Sequence, residues 1–287
     1  MPLTDDRQHI KIRGRRYTAP PLTSTCSVVC QSYSEDNNTG GKKLKNDRLA
    51  NTTSFITALV AFAERRVIKM KTKKKSLLIG CILIAMFVLW TVLIMTIDVQ
   101  PVGQNGTDIG FADFNTEFHA LTGVNMTLYT ITDWLGLVPI IICMIFGGVG
   151  FIQLISRKSL LKVDKDILIL GIYYIIVIFA YLIFEMIPIN YRPIPIEGVM
   201  EASYPSSTTL LVLSVMPTLI EQTSRRLNND QAKKIINVLA VLFSLFMVVG
   251  RLLSGVHWFT DIIGSVLLSI GLYYLYKGFV LSCISES

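Results

Sequence analysis

The chain has little charge. Of its 287 residues, 16% are Asp, Glu, Lys or Arg and 52% are hydrophobic. Soluble domains carry about a quarter charged residues, so an ordinary water-soluble globule is excluded and a membrane class is expected. Cysteine is sparse as well. Cys26, Cys30, Cys81, Cys143 and Cys283 are odd in number and irregularly spaced, which excludes a disulfide framework. Cys26-x3-Cys30 is followed by no second pair of ligands, so the thiols read as free and neither metal nor cofactor is expected. No inverted internal repeat of the transporter kind is present. The net charge is +7, yet the basic residues stand in short segments between apolar runs. That is the pattern of membrane topology and not of nucleic-acid binding.

Residues 1–69 are the polar exception. They are rich in Lys, Arg, Ser, Thr, Asn and Asp, with Pro20-Pro21 and Gly40-Gly41 as breakers, and predict a disordered tail. Within the tail, residues 54–67 predict a short amphipathic surface helix with Ile56, Leu59, Val60 and Phe62 on its apolar side. Met70 is a natural start of translation, so a membrane domain at 70–287 is expected to do without the tail. Residues 77–97 follow a lysine cluster, are long enough to span, and lack a small-residue cleavage site. They read as an uncleaved anchor.

Residues 98–133 read as a polar loop with acids, no lysine or arginine, and two glycosylation sequons at Asn105 and Asn125. Further spans are expected at 134–155, 167–187, 207–222, 235–253 and 258–276. Trp134 suits an interface, Pro139 predicts a kink, and Pro217 lies inside the fourth span. Gly147 to Gly150 predict close helix packing. They do not make a nucleotide loop, because no strand precedes them and no lysine follows. Basic loops at Arg157, Lys158, Lys162 and Lys165 and at Arg225, Arg226, Lys233 and Lys234 alternate with basic-poor ones. The positive-inside rule then puts both termini in the cytoplasm and the loops of Arg192 and His257 outside. The expectation is an all-α polytopic membrane protein, a six-transmembrane-helix bundle behind a disordered tail, in a bacterial plasma membrane.

The densest polar constellation is GRLLSGVHWFTD, Gly250 to Asp261, with the spacing R-x5-H-x3-D. Charged side chains within so apolar a chain are expensive and usually functional. His257 and Asp261 are four apart and share one helical face; Arg251 cannot join them on one continuous helix. Ser254-Gly255 supplies a break, so Arg251 ends one helix and the other two open the next. Before the fourth span the chain reads INYRPIPIEGVMEASYPSSTT. Pro205 presets a turn, Ser206 or Ser207 caps the helix, and the open amides there form an anion site. The planar forks of Arg192 and Arg251 suit phosphate oxygens. A histidine oriented by an aspartate is an activated nucleophile or base. Together these groups predict phosphoryl transfer at the outer membrane surface.

In these residues the chain resembles the type 2 phosphatidic acid phosphatase family, membrane relatives of the vanadium haloperoxidases. The family carries K-x6-R-P, P-S-G-H and S-R-x5-H-x3-D. Here they stand as Arg192-Pro193, as Pro205-Ser206-Ser207, and as Arg251, His257 and Asp261, and the resemblance covers about residues 70–281. It implies that His257 attacks phosphorus, that Asp261 orients it, and that Arg192, Arg251, Ser206 and Ser207 hold the phosphate. The implied substrate is a membrane lipid bearing a phosphate or diphosphate. Three positions depart from the pattern: Glu185 stands at the lysine, Thr208 at the proton-donating histidine, and Gly250 at the serine. A threonine hydroxyl is too weak an acid to protonate an alkoxide. Either the substrate is a diphosphate, which leaves with less help, or Glu185 is buried, protonated and acts as the acid.

Two other readings compete: a protein that binds phospholipid headgroups without turnover, and a small transporter using Arg, His and Asp as a proton relay. His119 reads as a surface residue. Trp90, Tyr173, Tyr174 and Tyr181 read as packing or lipid-facing, and Glu221 as a solvated helix end.

Overall fold

The structure, a computed structural model, describes residues 70–285. The tail, with Cys26, Cys30 and the surface helix expected at 54–67, lies outside the described residues. Regular structure among the described residues is helical: α1 (Met70–Thr96), α2 (Ala112–Thr122), α3 (Met126–Leu135), α4 (Leu137–Arg157), α5 (Lys165–Met186), α6 (Ser207–Arg226), α7 (Asp230–Leu253) and α8 (Phe259–Ser285).

Five segments are long and apolar enough to cross a membrane: α1, α3 with α4, α5, α7 and α8. Their outer faces show Leu89, Ile141, Phe151, Phe179 and Leu242. Continuous apolar surface on this scale suits lipid and not water, and the chain is an integral membrane protein. The sixth long helix, α6, is more polar, with Ser, Thr, Gln, Glu and two arginines along its 20 residues. It sits inside, packed against α4, α5, α7 and α8.

A covered polar helix must find partners within the bundle. Tyr173 donates to the Ser214 carbonyl at 3.0 Å, the hydroxyls of Tyr174 and Thr218 meet at 2.8 Å, and Gln222 Nε2 donates to the Tyr276 hydroxyl at 3.1 Å. Tyr173 and Tyr174 are therefore polar anchors of α6 and not lipid-facing residues. Glu221 is not a solvated end either: Arg225 pairs with it at 2.6 Å and the Tyr273 hydroxyl donates to it at 3.3 Å.

At one end of the bundle the two basic loops meet. Arg157 pairs with Asp164 at 2.7 Å and Arg226 with Asp166 at 2.8 Å. The Arg157 hydrogen bond holds the Asp164 carboxyl below its usual range, against a smaller opposing effect of burial. At the other end the segments 98–125, 187–206 and 254–258 pack together.

The segment expected as a plain loop at 98–133 carries a single 3-10 turn, α2 and most of α3. Its polar residues concealed this, because they serve as caps and ties. Asn125 Oδ1 caps α3 by accepting from Leu128 N at 2.9 Å, and Asn115 Nδ2 donates to Thr260 Oγ1 at 3.0 Å. Trp90, expected as packing or lipid-facing, donates its indole N–H to the Thr260 carbonyl at 3.2 Å and so ties α1 to the start of α8.

The second span begins at Met126, and its break falls at Gly136, between α3 and α4. Pro139 explains it, since it has no N–H for the carbonyl four residues earlier. The glycine run behaves differently from expectation. A Cβ on Gly147 or Gly148 would meet nothing within 4 Å, and only Gly150 is close to a neighbour, 3.1 Å from Ile167 Cγ2.

Candidate active site

The site is built on the turn between α7 and α8. The helix carrying Arg251 ends at Leu253, and Phe259 opens the next. Gly255 has φ +69°, and a Cβ there would collide with the carbonyl of Gly123. Only glycine fits that position. His119, expected at the surface, is half-buried against this turn. Its Nε2 donates to the Gly255 carbonyl at 2.9 Å, and its ring lies 5.6 Å from that of Trp258.

His257 and Asp261 are both buried, yet their closest atoms, Nδ1 and Oδ2, are 3.7 Å apart. Ser203 stands between them. Its hydroxyl donates a short hydrogen bond to Asp261 Oδ2 and lies 3.2 Å from His257 Nδ1. The Ser203 carbonyl is also 3.2 Å from Nδ1. A proton on Nδ1 satisfies that carbonyl and leaves Nε2 with a free lone pair. The aspartate is fixed further by Trp258 N at 2.9 Å and Asn190 Nδ2 at 3.4 Å. Burial, then the charges of Arg192 and Arg251, hold the imidazole well below the ordinary histidine value of 6.5. His257 is therefore neutral at neutral pH.

Nε2 faces Arg251, whose Nη2 lies 3.2 Å away. Arg192 comes from the ribbon between α5 and α6. Tyr191 bridges Ala202 and Ile196 bridges Val199 in antiparallel sense, with Glu197 and Gly198 at positive φ in the two-residue turn. The ribbon is pinned to the turn by Trp258 Nε1, which donates to the Tyr191 carbonyl at 2.8 Å. Gln104 Nε2 holds the Arg192 carbonyl at 3.0 Å.

Both guanidinium groups lie over one ring, that of Tyr129, at 5.9 Å for Arg192 and 5.0 Å for Arg251. Each also faces a carboxylate. Arg192 Nε is 3.0 Å from Glu201 Oε2, and Arg251 Nη1 is 3.5 Å from Asp133 Oδ1. Neither contact is aligned as a hydrogen bond. Nε and Nη1 of both arginines are buried donors without a hydrogen-bond partner among the described residues. Leaving such donors unmet is costly, and planar N–H groups of this kind suit the oxygens of a tetrahedral oxyanion.

The remaining sequence-predicted residues fall differently. Ser206 occupies the N-cap of α6, but its hydroxyl goes to Thr209 Oγ1 at 3.1 Å, so no side chain caps the first amides. Ser207 and Thr208 are half-buried and line a cleft between α4, α5 and α6. Glu185 is exposed and lines a separate small pocket with Tyr181, Phe184 and Tyr204. Gly250 has a steric reason of its own: a Cβ there would lie 2.7 Å from Thr132 Cγ2. Glycine lets α3 close on α7 and bring Tyr129 and Asp133 onto Arg251. Among the described residues, no group of three or more His, Cys, Asp and Glu side chains is placed to hold a metal ion.

Ser203, Asn190, Tyr129, Asp133 and Glu201 were not singled out from sequence. Glu201 and Ser203 lie within the quoted stretch before α6, close to the motif serines. Tyr129 and Asp133 are in a segment read as a loop and carried no signal.

The fold and site define a multi-pass helical membrane protein with a buried histidine beside an arginine pair. Residues 167–283 match the model of the PAP2 superfamily, an interval that contains Arg192, Ser206, Arg251, His257 and Asp261. That segment is similar to the PAP2 superfamily, the type 2 phosphatidic acid phosphatase family whose motifs it carries. Its fold is similar to the crystal structure of the first transmembrane PAP2 type phosphatidylglycerolphosphate phosphatase from Bacillus subtilis. The TM-score is 0.52 at 18% identity, over 70% of this chain and 95% of that one. No curated protein sequence matches the chain.

Proposed function

We propose that this chain is a lipid phosphatase in which His257 Nε2 attacks phosphorus while Arg192 and Arg251 hold the phosphate oxygens. The observation that carries the reading is the set of buried guanidinium nitrogens without a hydrogen-bond partner beside a neutral imidazole whose Nε2 lone pair meets Arg251 Nη2 at 3.2 Å. Asp261, acting partly through Ser203, fixes the ring so that Nε2 points outward from its hydrogen-bonded edge. The open amides at the start of α6, Ser207 and Thr208 among them, add dipoles favourable to an anion. The substrate is a lipid phosphate or diphosphate within the membrane, and the membrane domain is residues 70–287. The basic loops gather at one end of the bundle and the site lies at the other. This supports cytoplasmic termini and an outward-facing site in a plasma membrane.

A second reading has one specific observation behind it. Thr208 occupies the position where the family has its proton donor, so a site that binds a phosphate headgroup without turnover is the competitor. The deciding experiment is an alkaline quench, which preserves the acid-labile P–N bond, of the purified protein turning over a lipid substrate labelled in its phosphate. The phosphatase reading expects labelled phosphohistidine in the wild type, none in His257→Ala, and phosphate release on longer incubation. Binding without label in the wild type supports the headgroup-binding protein instead.

A further inference from the structure

An alkoxide leaving group needs a proton, and Thr208 cannot supply it. The chemistry requires an acid beside Thr208, on the far side of phosphorus from His257. Thr208 lines a cleft of about 480 Å³ whose other walls include Gly136, Leu137, Tyr174 and Leu211. Asp133 is the one carboxylate among the residues lining it. Thr208 packs against the same break in the chain that carries Asp133. A Cβ on Gly136 would be 2.8 Å from the Asp133 carbonyl and 3.4 Å from Thr208 Cγ2.

Asp133 also meets the nucleophile through one guanidinium. Its Oδ1 is 3.5 Å from Arg251 Nη1, and Arg251 Nη2 is 3.2 Å from His257 Nε2. The two contacts use different nitrogens of one guanidinium, so a phosphate seated on it comes within reach of both the imidazole and the carboxyl. In-line displacement needs phosphorus between the attacking and leaving atoms. The other acids nearby do not fit: Glu201 faces Arg192, Glu185 lines a different pocket, and Asp261 is sealed behind Ser203.

We propose, resting on the phosphatase reading, that Asp133 is the general acid and replaces the histidine missing at Thr208. The His257 Nε2 lone pair forms the N–P bond as the P–O bond to the lipid breaks. The leaving oxygen keeps the bonding pair and takes the proton of Asp133, giving the alcohol. Water then attacks phosphorus and gives its proton to the Asp133 carboxylate. The N–P bond breaks, returning its pair to His257, and inorganic phosphate leaves. The Asp133 side chain is 55% exposed. A phosphate seated on Arg251 takes the place that Asp133 Oδ1 holds there, 3.5 Å from Nη1, and leaves the carboxyl to face the leaving oxygen.

The test uses the full chain with two substrates. Phosphatidic acid expels an alkoxide; 4-nitrophenyl phosphate expels a stable phenolate that needs no proton. Asp133→Asn should lower kcat/KM on phosphatidic acid at least about 30-fold more than it lowers kcat/KM on the aryl phosphate. Asp133→Glu should retain more lipid activity than Asp133→Asn, and Thr208→His should restore it in the Asp133→Asn background. Equal loss on both substrates would make Asp133 merely the support of Arg251, and no loss on either would remove it from the site. Both outcomes overturn the assignment while leaving the phosphatase reading intact. A wild type that cleaves neither substrate overturns the two together. The thermal unfolding midpoint of each purified variant serves as the folding control.

Discussion

Arg251 Nη2 and His257 Nε2 meet at 3.2 Å, both side chains sealed from solvent. A cation beside a histidine nitrogen keeps the lone pair on that nitrogen and the proton on the other. The contact thus sets the tautomer and presents the attacking atom where the phosphate would lie. It depends on the planar fork, which offers Nη2 to His257 and Nη1 to the opposite side at once.

Arg251→Lys should therefore be far from conservative. An ammonium is a point charge and cannot serve both sides. Phosphate release from a lipid monoester should fall by about 100-fold or more, of the order seen when one transition-state donor is removed. Activity within a few-fold of wild type would show that charge alone suffices.

Ser203 links the two parts of the dyad. Ser203→Ala removes the hydroxyl that joins Asp261 to His257 but keeps the backbone carbonyl facing Nδ1. We expect kcat to fall about tenfold, with a stability loss of about 1 kcal/mol from the lost buried hydrogen bond. Asp261→Asn should cost more, because it removes the acceptor itself. Equal rates in the two variants would show that the serine carries the whole coupling.

The depressed affinity of His257 for protons has a kinetic sign. Kcat/KM should stay high as pH falls through 6.5, because the free enzyme's imidazole remains neutral there. Arg192→Ala removes one of the cations responsible, so its acid limb should move to higher pH. Stability has a sign too. The folded histidine resists protonation and the unfolded one does not, so the contribution present at neutral pH is lost as pH falls below the ordinary value near 6.5. His257→Gln should flatten that part of the stability profile. An acid limb that does not move in Arg192→Ala would contradict the electrostatic account.

Topology is open to direct labelling. Glu197 is at the exposed tip of the ribbon beside the site, and Asn228 is exposed in the loop at the basic end. In intact cells an impermeant thiol reagent should reach Glu197→Cys and not Asn228→Cys. The reverse pattern would place the site on the cytoplasmic face. Val256, nearer His257 in sequence, is fully buried and unsuitable as a probe.

The sequence by itself determined the membrane class, because hydropathy is a sum over neighbouring residues. It also determined the helix–turn–helix that carries Arg251, His257 and Asp261, since Ser254-Gly255 and a four-residue spacing act locally. Only the tertiary structure decided what surrounds them. Ser203 reaches Asp261 across 58 residues, and Trp258 holds Tyr191 across 67. Tyr129 and Asp133 reach Arg251 because Gly250 lets α3 close on α7. The polar positions of α6 were legible as polar, but their tyrosine partners on α5 and α8 were not. Such pairings follow from how helices pack. Packing is fixed by surfaces far apart in the chain, and a serine or a tyrosine looks the same in sequence whether it faces a partner, lipid or water.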